Sequence, residues 1–255
     1  FTVVSPVPLD GPGPNPLLQN HWMMAVHPLL MYLGFVGLAV PFAYAMAAQI
    51  TRRPGVDWMT QTRRWTLTGW GFLTAAIIAG GWWSYEVLGW GGFWAWDPVE
   101  NMSLVPWLFM VAGLHANVIV LSTRHSLRST YVFYLLAFVA VTYSTFMTRS
   151  GVLQDTSVHA FTQLGLETQL IILISVFALL SIGLYFYRRR SIPVPAREEP
   201  LHSREFWIYL GALVIVISAA LLTFGTSLPV INKIVQLFDP TFENMVIEDP
   251  VTHFN

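Results

Sequence analysis

Thr168-Gln169-Leu170-Ile171-Ile172-Leu173-Ile174-Ser175-Val176-Phe177-Ala178-Leu179-Leu180-Ser181-Ile182-Gly183-Leu184-Tyr185-Phe186-Tyr187 runs without a charge and is followed at once by Arg188-Arg189-Arg190. A helix of about 20 apolar residues crosses the roughly 30 Å hydrocarbon layer of a bilayer, and arginines collect at the end that stays in the cytoplasm. The stretch therefore reads as a membrane span with its basic end inside. Five more nearly charge-free stretches of this kind flank it, at about 28–49, 65–87, 101–121, 129–148 and 206–226. The whole chain agrees: of its 255 residues 55% are hydrophobic and 11% charged, against about 25% charged in a soluble domain. The fold expected is all-α, a polytopic membrane protein of about six transmembrane helices. A soluble enzyme, a disordered tail and a fibre are excluded.

Charge sorts the connections. Arg52, Arg53, Arg63, Arg64, Arg124, Arg128, Arg188, Arg189, Arg190, Arg197 and Arg204 all fall in or beside odd-numbered connections, and they are eleven of the 13 Lys and Arg residues. The positive-inside rule puts those connections in the cytoplasm. Both ends of this segment, and the loops 88–100 and 149–167, then face outward, across a bacterial inner membrane. The organisation expected is an outer segment 1–27, a membrane domain 28–226, and an outer tail 227–255. In the tail Ile231, Ile234, Val235 and Phe238 repeat at helical spacing and predict a short interfacial helix. A net charge of −1 with Lys233 the one lysine disfavours nucleic acid as a partner, and the absence of cysteine excludes disulfides and thiol nucleophiles supplied by this chain. The chain begins at Phe1 with no leader-like pattern and reads as a portion of a longer protein.

Chemistry is expected in the outward loops. Between spans two and three lies Gly80-Gly81-Trp82-Trp83-Ser84-Tyr85-Glu86-Val87-Leu88-Gly89-Trp90-Gly91-Gly92-Phe93-Trp94-Ala95-Trp96-Asp97-Pro98-Val99-Glu100-Asn101, and six of the 11 tryptophans fall between Trp82 and Trp107. An aromatic belt is one reading. The other is a binding platform in the outer-face Trp-rich loop 82–101, where indoles give a planar apolar ligand much contact area at little conformational cost and glycines let backbone lie close to a flat surface. Asp97 and Glu100, with Pro98 between them, match an Asp-x-x-Glu start for the third span. Arg149 closes span four, either to snorkel or to meet an anionic group. His27 and His159 lie on the outward side, while His115 lies inside span three, where an ionisable group is costly and usually functional.

Trp90-Gly91-Gly92-Phe93-Trp94-Ala95-Trp96-Asp97-Pro98-Val99-Glu100 resembles the tryptophan-rich WWD signature of the haem-handling superfamily that contains CcmF, CcmC and CcsA. His27-Pro28-Leu29-Leu30-Met31-Tyr32-Leu33-Gly34-Phe35-Val36-Gly37 and Arg149-Ser150-Gly151-Val152-Leu153-Gln154-Asp155-Thr156-Ser157-Val158-His159-Ala160-Phe161 resemble flanking motifs of the CcmF/NrfE branch. The resemblance implies cytochrome c haem lyase activity, active as part of a complex: haem held at Trp90, Trp94, Trp96 and Asp97, with His27 and His159 on the iron and Arg149 against a propionate, and joined to the Cys-x-x-Cys-His thiols of apocytochrome c. It further implies a permanent haem b at His115 with its second ligand outside this chain. Partners implied are a CcmE-type haem chaperone, CcmH/CcmI-type maturation subunits, and quinol as reductant. No residue stands out as a catalytic acid or base. Two other readings remain at this point: a CcmC-like module that delivers haem to a chaperone without forming a thioether, and a haem transporter.

Overall fold

The computed structural model describes residues 19–87, 92–153, 156–157, 165–196 and 200–247; Trp90 and His159 lie outside the described residues. Among those described, all regular structure is helical. The elements are α1 (Met23–Gly37), α2 (Ala39–Ile50), α3 (Asp57–Val87), α4 (Pro98–Thr123), α5 (Leu127–Arg149), α6 (Glu167–Arg188, ending in a 3-10 turn Arg189–Ser191), α7 (Arg204–Thr226) and α8 (Leu228–Gln236). The first span is α1 and α2 joined at Leu38. Pro41 has no N–H to give the carbonyl of Gly37, so the helical ladder is interrupted at this junction.

Every helix extends beyond its apolar window at one end or both. Among the described residues, five helices are long and apolar enough to cross a membrane: Met23–Ile50, Pro98–Thr123, Leu127–Arg149, Glu167–Ser191 and Arg204–Thr226. The stretch expected at 65–87 lies within α3. At 31 residues this helix is long enough, but it opens with Asp57, Arg63 and Arg64 and carries threonine, glycine and tryptophan where the others carry leucine and isoleucine.

Lipid tails are as apolar as leucine, so close packing and interhelical hydrogen bonds hold such helices together rather than apolar burial alone. α4 packs along both α5 and α7, α1 packs along α3, and α2 and α6 lie against α5. The α1–α3 seam runs over glycine. A Cβ on Gly34 would stand 2.7 Å from Leu73, and one on Gly37 would stand 2.7 Å from the Cα of Gly69. Across the other seams Trp107 donates to Thr74 (2.7 Å), Asn117 to the Tyr134 hydroxyl (3.1 Å), and Tyr143 to Ser227 (2.7 Å). Each such bond contributes on the order of 0.6 kcal/mol in a bilayer.

The two classes of connection lie at opposite ends of the bundle. At one end Trp58 of α3 packs on Tyr131 and Tyr134 of α5, and Ser122 of α4 donates to Glu205 of α7; the basic loops are here. At the other end are the Trp loop, the turn after α5, and α8. α6 contributes little to the core, exposing Ile171, Ile172, Leu179, Leu180 and Phe186 along its length.

Candidate functional site

At the Trp-loop end, the site is built outward from α1. His27 is half-buried, and its Nδ1 lies 3.0 Å from the carbonyl of Ala76 on α3. A carbonyl can only accept, so Nδ1 carries the proton and Nε2 is the basic nitrogen, the tautomer a metal-binding imidazole needs. Gly80 makes the approach possible, since a Cβ there would stand 2.7 Å from His27 Cε1. The indole of Trp83 closes the other side, its centroid 5.8 Å from the imidazole.

The Trp loop folds back over this helix end. Phe93 stacks on Tyr85 with centroids 4.5 Å apart and planes 3° off parallel, and its carbonyl sits where a Cβ on Gly81 would come within 2.9 Å. Trp94 and Trp96 then meet edge to face at 6.1 Å. Trp96 has φ +54°, a left-handed conformation that costs a bulky residue about 1–3 kcal/mol and persists only where the surroundings impose it. Those surroundings are the start of α4. Glu100 Oε2 accepts from the N–H of Ala95 (2.9 Å) and of Asp97 (3.3 Å), Asp97 Oδ1 accepts from the N–H of Val99 (2.9 Å), and Asn101 Nδ2 donates to the carbonyl of Trp96 (3.0 Å). The Asp-x-x-Glu pattern is thus a capping box, and Asp97, buried at 8% exposure, spends its carboxylate on structure.

That carboxylate has a second task. Ser157 Oγ donates to Asp97 Oδ1 at 2.8 Å, which ties the segment after α5 to the Trp loop two positions before His159. Arg149, at the end of α5, donates to the Tyr32 hydroxyl of α1 at 2.8 Å and so joins the helix that carries His27. His27 against Trp83, Phe93 against Tyr85, Trp94 against Trp96, and Ser157 bonded to Asp97 thus lie at the same end of the bundle, with Arg149 tied to the first helix through Tyr32.

The sequence alone did not reveal several of these members. Gly80, Trp83, Tyr32 and Ser157 emerge from pairings between distant helices. His21 proves to be part of the same end: it accepts at Nδ1 from the Met23 N–H (3.2 Å), donates at Nε2 to Glu86 (2.7 Å), and stacks on Trp83 on the face of α3 that also meets His27, while Glu86 accepts from Trp82 (2.6 Å). Trp22 packs edge-on against Trp82. The signal available was the abundance of aromatic residues in both segments, which marks a cluster without naming the pairs.

His115 stands apart. It lies on the exposed side of α4, with Nδ1 2.8 Å from the carbonyl of Val111 one turn back, so its basic nitrogen is also Nε2. The tail forms its short helix α8, where Ile234 is exposed and Asn232 is buried, and Leu237 and Phe238 just past its end are exposed.

A haem fits the residues at the Trp-loop end on chemical grounds. Haem iron takes axial imidazole, which His27 offers through Nε2. Among the described residues, the buried indole N–H groups of Trp83 and Trp94 have no hydrogen-bond partner, an expensive condition unless a ligand supplies acceptors, and haem carries two propionates. His115 offers its Nε2 in the same way.

A family model described as cytochrome C assembly protein matches residues 1–153. The cytochrome c-type biogenesis protein CcmF of Haemophilus influenzae is 38% identical over 232 residues, covering 89% of this chain and 34% of that protein. CcmF of Pseudomonas aeruginosa is 40% identical over 228 residues, covering 88% and 34%, and NrfE of Haemophilus influenzae is 38% identical over 234 residues, covering 91% and 36%. A solved structure titled cytochrome c heme lyase CcmF superposes with a TM-score of 0.69 at 42% identity, over 86% of this chain and 32% of that one. The chain spans about a third of the length of the curated relatives it matches. With the polytopic helical fold, the WWD-like loop and matches of this extent, the chain belongs to the cytochrome c assembly protein family.

Proposed function

We propose that this chain forms the haem-holding part of a cytochrome c haem lyase on the outer face of a bacterial inner membrane. Haem received from a CcmE-type chaperone lies against Trp90, Trp94 and Trp96, with His27 and His159 as axial ligands. The observation that supports this reading is the gathering at one end of the bundle of His27, held by the Ala76 carbonyl of α3, of the Trp94–Trp96 pair, and of Ser157, held by Asp97. Positioning of this kind supplies much of a reaction's acceleration.

The reaction joins each of the two thiols of an apocytochrome Cys-x-x-Cys-His segment to a vinyl group of haem. A C–S bond forms at one vinyl carbon, the thiol proton ends on the other, and no electrons are exchanged. The chain's part is to fix the vinyl groups relative to the incoming thiols and to hold the propionates, through the Trp83 and Trp94 indoles and Arg149. The apocytochrome's own histidine then displaces one axial ligand and the product leaves. CcmH/CcmI-type subunits present the apocytochrome. A haem b at His115, completed by a ligand from outside these helices, would supply one-electron reduction with quinol as donor; the exposed position of His115 leaves that face open to such a ligand. The sorting of eleven of the 13 basic residues to the other connections supports an outward-facing Trp-loop end, with α8 and the residues after it in the outer interface, Ile234, Leu237 and Phe238 toward lipid.

The test is holocytochrome formation in cells that depend on this protein, scored by the covalent haem stain of the cytochrome. His27→Ala and His159→Ala are expected to abolish it while the purified protein keeps its haem b spectrum. Unchanged holocytochrome in both variants would overturn the assignment, and accumulation of haem-loaded chaperone without any thioether product in the wild type would favour haem delivery alone.

A further inference from the structure

At the end of the bundle opposite the Trp loop lies a cavity of about 330 Å³. Four helix ends meet around it: the turn that joins α4 to α5, the first turn of α5, the link 193–195 after α6, and the start of α7. Arg124 and Arg128 both line it, and both are exposed. Among the described residues, neither guanidinium makes an ion pair or a side-chain hydrogen bond. The acid on the same wall, Glu205, does not cancel them, because its carboxylate is already engaged by Arg204 (2.8 Å) and by the Ser122 hydroxyl (2.9 Å). The hydroxyls of Ser129 and Tyr209 meet at 2.8 Å on this wall. One bond between two hydroxyls leaves one O–H to donate elsewhere. Two uncommitted guanidiniums beside a hydroxyl donor are complementary to the oxygens of a phosphate ester.

The surroundings decide which phosphate. Beside Phe206 and Tyr209, which line the cavity, Leu210, Val214, Ile217 and Leu221 follow along α7 at spacings of four, three and four, all exposed. That spacing makes one strip on one helix face. From 210 to 221 the strip is about 16 Å long at 1.5 Å per residue, close to one leaflet's half of the roughly 30 Å hydrocarbon core. A soluble phosphate would have no use for it, whereas a phospholipid acyl chain covers such a strip.

We propose that this cavity is a headgroup site for an anionic phospholipid of the leaflet at the basic end, with the phosphodiester against Arg124 and Arg128 and an acyl chain along α7. Basic cavities between helices on the cytoplasmic side of a membrane take anionic headgroups. The bound lipid joins the link after α6, the least buried of the five long apolar helices, to the turn between α4 and α5.

The test uses the full-length protein in nanodiscs of phosphatidylcholine doped with phosphatidylglycerol, with the lipids that stay bound on release counted by native mass spectrometry. Arg124→Gln combined with Arg128→Gln is expected to lower the retention of phosphatidylglycerol relative to phosphatidylcholine about 25-fold, about fivefold for each arginine removed. Arg63→Gln combined with Arg64→Gln removes an equally exposed basic pair that does not line the cavity, and is expected to change retention by less than about twofold. Substitution of exposed side chains is expected to leave thermal unfolding in pure phosphatidylcholine discs unchanged; should the double variant fail to fold, Arg124→Gln alone is read against its fivefold expectation. Equal losses from the two basic pairs would overturn the site in favour of diffuse surface charge. Displacement of the phospholipid by inorganic phosphate would overturn it as well, by assigning the cavity to a soluble ion.

Discussion

His27 gives its Nδ1 proton to the carbonyl of Ala76, 49 residues away on another helix, whereas His115 gives the same proton to Val111, four residues back on its own. Both end with Nε2 as the basic nitrogen, but the sources of that order differ. The orientation of His27 depends on the seam between α1 and α3, on Gly80 and on Trp83, and so on tertiary packing. That of His115 comes from the helix it sits in and needs no neighbour. The orientation of His27 is therefore vulnerable to changes far from it in sequence, and that of His115 is not.

The largest expected effect comes from breaking the seam. Gly80→Val puts a branched side chain where even a Cβ would lie 2.7 Å from the imidazole. Overpacking of this kind costs about 1–3 kcal/mol, or roughly 5- to 150-fold in affinity, and should appear as lost haem binding at the Trp-loop end by optical titration, with the His115 spectrum intact. A smaller effect is expected at the cap. Asp97→Ala removes the α4 cap and the bond to Ser157 together, a loss of about 1–2 kcal/mol, measurable as a shift in thermal unfolding in detergent and as a parallel weakening of haem binding by His27. The smallest is at His115, where His115→Ala removes an exposed side chain and should alter unfolding by no more than about 0.5 kcal/mol while eliminating the haem b signal. If His115→Ala destabilised the bundle as strongly as Asp97→Ala, the contrast between the two histidines would fail.

Much of this was readable in the sequence, for identifiable reasons. Long apolar runs bounded by arginine mark spans because the bilayer imposes both length and polarity. Asp97 and Glu100 marked a helix start because a capping box is local, spanning four residues. The helices run past the apolar windows, and α3, read as a span at 65–87, falls below the others in apolar content because it carries glycine, threonine and tryptophan in place of leucine. What stayed hidden was pairing. Gly80 against His27, Ser157 against Asp97 and Tyr32 against Arg149 each join segments more than 50 residues apart, and no periodicity within one segment names its partner. His21 carried no local pattern either, although its bond to Glu86 places it in the same aromatic cluster.

The account rests on His27 as a ligand to haem iron, and the direct measurement is chemical rescue. Full-length protein carrying His27→Gly would be loaded with haem and its optical and electron paramagnetic resonance spectra recorded before and after adding imidazole. The outer haem is expected to lose its low-spin bis-histidine signature in the variant and to regain it when free imidazole enters the space against Gly80 and Trp83. A low-spin signature identical to wild type before any imidazole is added would contradict it.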